Sequence, residues 1–193
     1  HQRRFPSQKG YRTLTSKAPI TETLASALIL LTPWNKDRIL VDPFCGSGTF
    51  PIELHDRRQY SSGHEPVFPG RGLENIIGRK CWYEAMDEAN DLVDDSVQVD
   101  IQGYDIDGDI VKAARLNAQS AGVDHMIHFQ QRPVSALSHP KKYGFIILIL
   151  LTESGLKEEE SSGSLQEIGE RFAALDAWSM YLITSYEDTE KCI

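Results

Sequence analysis

The chain has 193 residues, of which 40% are hydrophobic and 25% are charged. This composition is sufficient for one domain with its own core, and it excludes a disordered or fibrous protein. The formal net charge of -8 repels phosphate, so any contact with nucleic acid must be local or come from another module.

The spacing of apolar residues predicts strands that alternate with helices. In chain order we predict helix 21–31, strand 38–42, helix 49–57, an irregular segment to about residue 80, helix 83–93, strand 99–104, helix 109–121, strand 126–131, strand 143–151, helix 164–175 and strand 178–184. This alternation implies an α/β fold whose mostly parallel, doubly wound sheet is covered by helices on both faces. The first helix is apolar on most of its faces and is expected to be buried. Segment 61–79 is longer than an ordinary connection and is either a functional lid or a mobile loop.

The composition also bears on the compartment. The apolar runs 28–31 and 145–151 are too short to span a bilayer, and residues 1–17 are polar and basic, unlike a signal peptide. The three cysteines are odd in number and scattered, which favours free thiols in a reducing compartment. The six histidines lack metal-ligand spacing. We therefore expect a cytoplasmic protein with no membrane contact and no metal site.

The most informative stretch is a glycine-rich turn after the predicted strand 38–42. It reads Asp42, Pro43, Phe44, Cys45, Gly46, Ser47, Gly48 and Thr49. Glycine lets the backbone approach a ligand closely, and amides at a helix start are unpaired donors. A P-loop needs a lysine after its last glycine, and a dinucleotide fingerprint needs a third glycine where this chain has Pro51. The turn therefore predicts a different small cofactor, and Asp42 beside it suits one that carries a positive centre.

A second acidic residue, Asp105, follows the predicted strand 99–104. Next to it, Asp107 is a good N-cap for helix 109–121, and Gly122 is a good stop. An acid at the tip of the second strand can accept hydrogen bonds from both ribose hydroxyls of a nucleoside cofactor, as in dinucleotide-binding folds. We therefore assign Asp105 to the ribose and Ile106 to the same site.

The first 17 residues carry five basic side chains and no acidic one. Phe5 and Tyr11 are interleaved with them, which is typical of a nucleic-acid-binding arm. A solvated terminal linker is an equally good interpretation. If the segment is an arm, the residues assigned to RNA phosphates are Arg3, Arg4, Lys9 and Arg12.

Four motifs together resemble those of the bacterial THUMP-associated RNA methyltransferases. They are residues 17–20, 42–49, 103–107 and 178–187. The resemblance implies a Rossmann-like methyltransferase fold, S-adenosylmethionine as cofactor, and an exocyclic amine of an RNA base as the target. The motifs resemble in particular the group that methylates guanine N2 of 23S rRNA and was once labelled N6-adenine-specific DNA methylases. The resemblance also places Pro19 and Thr23 beside the methionine end of the cofactor.

The same resemblance implies a domain organisation. Residues 1–17 form the basic arm and residues 18–193 the methyltransferase domain. In the full-length protein we expect an upstream THUMP module, which would supply RNA affinity, and a final strand pair after residue 193.

The chain departs from the family at the end of the fourth predicted strand. Family members carry Asn-Pro-Pro-Tyr there: the Asn side chain and a proline carbonyl accept hydrogen bonds from the target amine, and the aromatic ring stacks on the base. This chain instead has Ile149, Leu150, Leu151 and Thr152. Ile cannot orient an amine, and Thr offers no stacking face. The alternatives are an enzyme whose residues are altered here, a cofactor-binding RNA module without catalysis, or a methyltransferase for small molecules or proteins.

Overall fold

The computed structural model describes residues 20–56, 78, 80–81, 83–84, 87, 98–150, 158–184 and 189–191. Its principal elements are α1 (Glu22–Leu30), β1 (Leu40–Asp42), α2 (Thr49–Asp56), β2 (Ile101–Asp105), α3 (Gly108–Ala121), β3 (Ile127–Gln131), β4 (Phe145–Leu150), α4 (Glu158–Ala173) and β5 (Ser179–Thr184). The strands form one five-stranded sheet in the order β3-β2-β1-β4-β5. Every neighbouring pair is parallel. The predicted α/β, doubly wound fold is therefore confirmed.

The strand order reverses beside β1, the first strand in the chain. In open parallel sheets of this kind, ligands bind at the carboxyl ends of the strands next to such a reversal. Asp42 is the last residue of β1 and lies opposite Gly103 of β2, two residues before Asp105. The parallel register thus brings the two predicted acidic residues to the same edge of the sheet.

Alternating side chains of the central strands divide the core into two clusters. Leu40, Ile101 and Ile147 face the side that is covered by α1, α2 and α3. Val41 and Ile146 face the opposite side, where Ile168 of α4 packs. All five side chains are 0–1% exposed. Strands buried on both faces explain the nearly continuous apolar runs in the sequence.

The α3 helix begins and ends where its sequence predicts. The side chain of Asp107 accepts hydrogen bonds from the Asp109 and Ile110 amides, and Gly122 closes the helix with a φ of 75°. Both caps satisfy backbone groups that a helix end otherwise leaves unpaired. The predicted N-cap and stop are confirmed.

Other boundaries differ from the prediction for local reasons. The strand predicted over 143–151 begins only at Phe145, since Tyr143 has a φ of 62°, which lies outside the extended region. Helix α4 begins at Glu158, six residues earlier than predicted. Of the helix predicted over 83–93, residues 83, 84 and 87 are described and helical. Most of segment 61–79 lies outside the described residues.

The prediction that the first helix is buried is wrong for part of its surface. Leu24 and Leu30 are 50% and 69% exposed. The buried residues of the helix include the apolar Ala25 and Ile29, and a polar contact lies beside them: Ser26 donates a hydrogen bond to the fully buried Glu53 of α2. Apolar composition alone therefore did not identify which residues of the helix are buried. Even with these leucines, no helix in the described part of the chain is long and apolar enough to cross a membrane.

We predict that Gly103→Ala destabilises the fold. A Cβ at position 103 would stand 2.7 Å from two ring atoms of Phe129 and 3.1 Å from the Cβ of Cys45. Overpacking of this kind costs about 1–3 kcal/mol of the free energy of unfolding, which urea denaturation measures. Gly163→Ala is the matched control, because a Cβ there meets nothing within 4 Å and alanine stabilises a helix by about 0.5–1 kcal/mol. Equal effects of the two substitutions would contradict the packing at Gly103.

Candidate functional site

The turn between β1 and α2 is built on two glycines. Gly48 donates its amide to the Cys45 carbonyl at 2.9 Å, which closes a tight turn over residues 45–48. Gly46 has a φ of 53° and Gly48 a φ of 82°, values that L side chains rarely adopt. Helix α2 starts immediately afterwards, with the Ile52 amide bonded to the Gly48 carbonyl at 3.0 Å. The amides at the start of α2 therefore lie at the carboxyl edge of the sheet.

Neighbouring strands hold this turn in place. The Cys45 amide donates to the Tyr104 carbonyl at 2.8 Å, and the Gly46 amide donates to Asp105 Oδ2 at 3.1 Å. The ring of Phe129 packs under the turn, since its Cζ would lie 2.9 Å from a Cβ on Gly48. Backbone and side chain of the β2 end thus fix the turn against the sheet.

Asp42 is a buried carboxyl group at the end of β1. It is 3% exposed, and its Oδ1 accepts a hydrogen bond from the Phe44 amide at 3.1 Å. Burial raises the pKa of Asp42 from 3.8 to about 7; the Phe44 bond opposes this shift, and nearby Asp105 adds to it. A cationic group placed next to Asp42 would favour its ionised form. The residue is therefore suited to a ligand with a positive charge.

Asp105 and Ile106 form the more exposed part of the site. Asp105 Oδ1 accepts from the Asp107 amide at 2.9 Å, while Oδ2 accepts from the Gly46 amide. An ionised carboxylate offers about four acceptor positions, so two hydroxyl groups can still be bound. Ile106 is 72% exposed, and Gln131 holds its carbonyl with a hydrogen bond of 3.0 Å. A polar acceptor and an apolar surface thus stand side by side.

The other assigned residues fall into two groups. The first group consists of the turn residues, which lie together at the site. Phe44 and Gly46 are partly exposed, and the buried members are Pro43, Cys45, Ser47, Gly48 and Thr49. The Cys45 thiol lies in the core, where burial, with smaller contributions from Asp42 and Asp105, raises its pKa. Thr23 is exposed on α1. The second group lies outside the described residues: Pro19, Arg3, Arg4, Lys9, Arg12, Leu151 and Thr152.

Ile149 and Leu150 belong to β4 itself. They lie opposite Ile183 and Thr184 of β5. Ile149 packs against the core cluster beneath α1–α3, and Leu150 packs against the opposite cluster. Neither side chain can accept a hydrogen bond from an amine, as expected from the sequence.

Sequence reasoning missed one residue of the site. Asn117 of α3 is fully buried and donates from Nδ2 to the Ser47 carbonyl at 3.0 Å. The signal in the sequence was a polar residue within the otherwise apolar stripe of Val111, Ala114 and Ala118. An amide in such a stripe indicates a specific buried partner.

Two cavities lie away from this edge of the sheet. One, of about 260 Å³, lies between α3 and β3 and includes Arg115, Asp124 and His128. The other, of about 290 Å³, lies at the amino ends of the strands and includes Arg38 and Tyr143. Neither is lined by residues 42–49. The candidate site is therefore identified by its carboxyl groups and its glycine turn, and not by the volume of a cavity.

The residues present fit a nucleoside cofactor with a positive centre. A Cβ placed on Gly46 would meet no atom within 4 Å, so the outer side of the turn has room for a ligand. Asp105 supplies acceptors for hydroxyl groups, and Asp42 supplies a carboxyl group that a cation can ionise.

The chain belongs to the RMKL-like methyltransferase family, whose domain model, described as "RMKL-like, methyltransferase domain", matches residues 9–193. A relative from Bacillus subtilis named "Putative RNA methyltransferase YpsC" is 36% identical over 186 residues, which are 95% of this chain and 48% of that protein. The predicted family resemblance is therefore confirmed.

Solved structures agree with this membership. A predicted N6-adenine-specific DNA methylase from Listeria monocytogenes is 34% identical, with a TM-score of 0.82 over 95% of this chain and 48% of that one. A second structure, described as "SMU.472, a putative methyltransferase complexed with SAH", is 33% identical, with the same TM-score and coverage. The chain therefore spans about half the length of these relatives.

We predict that Asp42 makes stability depend on pH. Between its ordinary pKa of 3.8 and its folded pKa of about 7, the folded state binds a proton that the unfolded state has released. The free energy of unfolding therefore falls as the pH rises from about 4 to about 7. The Asp42→Asn variant cannot ionise at this position and lacks this decline. At about pH 8, its free energy of unfolding should therefore exceed that of wild type by an amount on the order of a few kcal/mol.

Urea denaturation at about pH 5 and about pH 8 measures this difference. The control is Asp109→Asn, because Asp109 is exposed and paired with Lys112. An advantage of Asp42→Asn that is the same at both pH values would contradict the raised pKa of Asp42.

Proposed function

We propose that this chain is the cofactor-binding and catalytic domain of an RNA methyltransferase that uses S-adenosylmethionine. The observation that carries the proposal is the pair of strand-end carboxyl groups beside the glycine turn, with Asp105 Oδ2 bonded to the Gly46 amide at 3.1 Å. The S-adenosylhomocysteine complex of SMU.472 and the name of the Bacillus subtilis relative support it.

Different residues of the site are proposed to contact different parts of the cofactor. Asp105 accepts hydrogen bonds from the ribose hydroxyls, and the exposed Ile106 side chain covers the apolar face of the base. Asp42 lies next to the positively charged methionine end, and residues 43–49 contribute through their backbone. Pro19 and Thr23 are proposed to line the methionine end as well.

The reaction follows from the cofactor. S-adenosylmethionine supplies a methyl group that an amine nitrogen takes in line, with the carbon–sulfur bond breaking and the amine proton leaving afterwards. The chain must hold the donor, exclude water and present the target amine at the right angle. A base in a duplex has to be flipped out before its amine can reach such a site.

The proposed target is guanine N2 of 23S rRNA. The resemblance in the four sequence motifs supports this choice, whereas the Listeria structure carries the name of an adenine-specific DNA methylase. Methyl transfer to ribosomal RNA, compared with DNA of matched sequence and with free nucleosides, separates the alternatives. We further propose that an upstream THUMP module and the arm residues Arg3, Arg4, Lys9 and Arg12 supply the RNA affinity, and that the protein acts in the cytoplasm.

A second candidate is a cofactor-binding module that does not methylate. The specific observation in its favour is that β4 ends in Ile149 and Leu150, whose apolar side chains pack into the two core clusters. Because the glycine turn does not depend on these residues, cofactor binding would persist while orientation of the target amine is lost.

We predict that Asp105→Ala weakens binding of S-adenosylmethionine at least tenfold. The substitution removes a charged acceptor of the ribose hydroxyls and the partner of the Gly46 amide; tenfold corresponds to about 1.4 kcal/mol. Calorimetric titration gives the dissociation constants. Asp109→Ala is the matched control, because this exposed acid on α3 lies four residues away. Unchanged affinity in Asp105→Ala would exclude the ribose assignment.

If the second candidate is correct, the unaltered chain binds the cofactor without methylating RNA. Combining Ile149→Asn, Leu150→Pro, Leu151→Pro and Thr152→Tyr, in a chain that carries the flanking modules of its full-length relatives, should restore transfer of a radiolabelled methyl group to ribosomal RNA. The control keeps the last three substitutions but has Ile149→Ala, so that it lacks the amine acceptor. Robust transfer by the unaltered sequence would show that another residue orients the base.

A further inference from the structure

A buried side chain of α3 reaches the glycine turn across a long stretch of sequence. Asn117 is 0% exposed and donates from Nδ2 to the Ser47 carbonyl oxygen at 3.0 Å. Transfer of an amide from water into a protein core costs free energy unless it is hydrogen-bonded. The contact is therefore a specific polar anchor within an apolar cluster.

This anchor fixes one peptide unit of the turn. The Ser47 carbonyl and the Gly48 amide belong to the same planar unit, and the Gly48 amide is bonded to the Cys45 carbonyl at 2.9 Å. With both of its polar groups bonded, the plane cannot rotate unless a hydrogen bond breaks. Gly46, one residue earlier, has a φ of 53° and has no side chain to restrict its rotation. The orientation of the turn therefore depends on bonds made from outside it.

The surrounding packing lets Asn117 reach the turn. Ala114 lies one helical turn before Asn117 on the same buried stripe of α3. The Cβ of Ala114 is 3.1 Å from the position that a Cβ on Gly48 would occupy. Two small residues thus allow helix and turn to approach closely, and the Asn117 amide then spans the remaining gap.

We propose that Asn117 is a positioning residue for the cofactor. Asn117 orients the Ser47–Gly48 peptide unit. This peptide unit in turn fixes the amides of the turn that contacts S-adenosylmethionine. The inference rests on the proposed function, because it takes the turn as the cofactor-binding element. Because the Asn117 side chain is bonded to the turn itself, its loss weakens cofactor binding more than the accompanying loss of stability explains.

The test compares three variants of the 193-residue chain. Asn117→Ala removes the donor, and Asn117→Asp keeps the shape but places an acceptor against the Ser47 carbonyl. Val111→Ala is the control, because it trims a buried side chain of the same helix that does not contact the turn through a hydrogen bond. Calorimetric titration with S-adenosylmethionine and thermal unfolding are measured for each. We expect about a tenfold loss of affinity in both Asn117 variants and less than about a twofold change in Val111→Ala.

A second readout examines the turn without any ligand. Amide hydrogen exchange at Gly46 and Gly48, relative to Val41 in β1, should accelerate at least about tenfold in Asn117→Ala and stay near wild type in Val111→Ala. Wild-type affinity in Asn117→Ala would overturn the inference, and so would wild-type exchange at Gly46 and Gly48. Failure of the wild-type chain to bind S-adenosylmethionine would overturn the proposed function, whereas the exchange rates would still decide whether Asn117 holds the turn. If Asn117→Asp does not fold, the affinity and exchange rates of Asn117→Ala alone decide whether Asn117 positions the turn.

Discussion

The hydrogen bond from the Gly46 amide to the Asp105 carboxylate joins the two halves of the site. It connects residues 59 positions apart in the chain, and it forms because β1 and β2 are parallel neighbours with their carboxyl ends aligned. Without that register, the glycine turn and Asp105 would lie at different places on the sheet edge. The bond also orients the Asp105 carboxylate towards the turn. Acceptors that could bind a nucleoside therefore lie next to the backbone of residues 45–48.

The buried acid beside this bond, Asp42, lowers the stability of the fold but is suited to bind a cationic ligand. Burial disfavours ionisation of the Asp42 carboxyl group and so raises its pKa, and the nearby Asp105 adds to this shift. A protein that only needed to be stable would gain by replacing Asp42 with a neutral residue. A cationic ligand reverses that balance, since its charge offsets the desolvation of the carboxylate. The same feature that lowers stability above neutral pH is thus suited to recognise the methionine end of S-adenosylmethionine.

Much of the fold could be predicted from the sequence, because its signals are local. The apolar runs of β1 and β4, the alternating pattern of β2, the caps of α3 and the glycine turn are each determined by neighbouring residues. The buried polar contact of α1 could not be predicted, because Ser26 acquires its partner Glu53 only after α1 packs against α2. Asn117 was missed for the same reason, since its partner lies 70 residues away. The late start of β4 depends on the left-handed backbone of Tyr143, which residue preferences do not reveal.

The sequence predicted two acids and a glycine turn as cofactor-binding residues, and the structure brings these residues together at one edge of the sheet. It also predicted that the end of β4 lacks side chains that could orient a target amine. The proposed function requires that a nucleoside cofactor binds at the carboxyl ends of β1 and β2. This can be checked by a crystal structure of the chain grown with S-adenosylhomocysteine. We expect ribose oxygens about 3 Å from the Asp105 carboxylate, with the amino-acid end of the ligand next to Asp42. A ligand bound instead in the cavity between α3 and β3, beside Arg115 and His128, would contradict it.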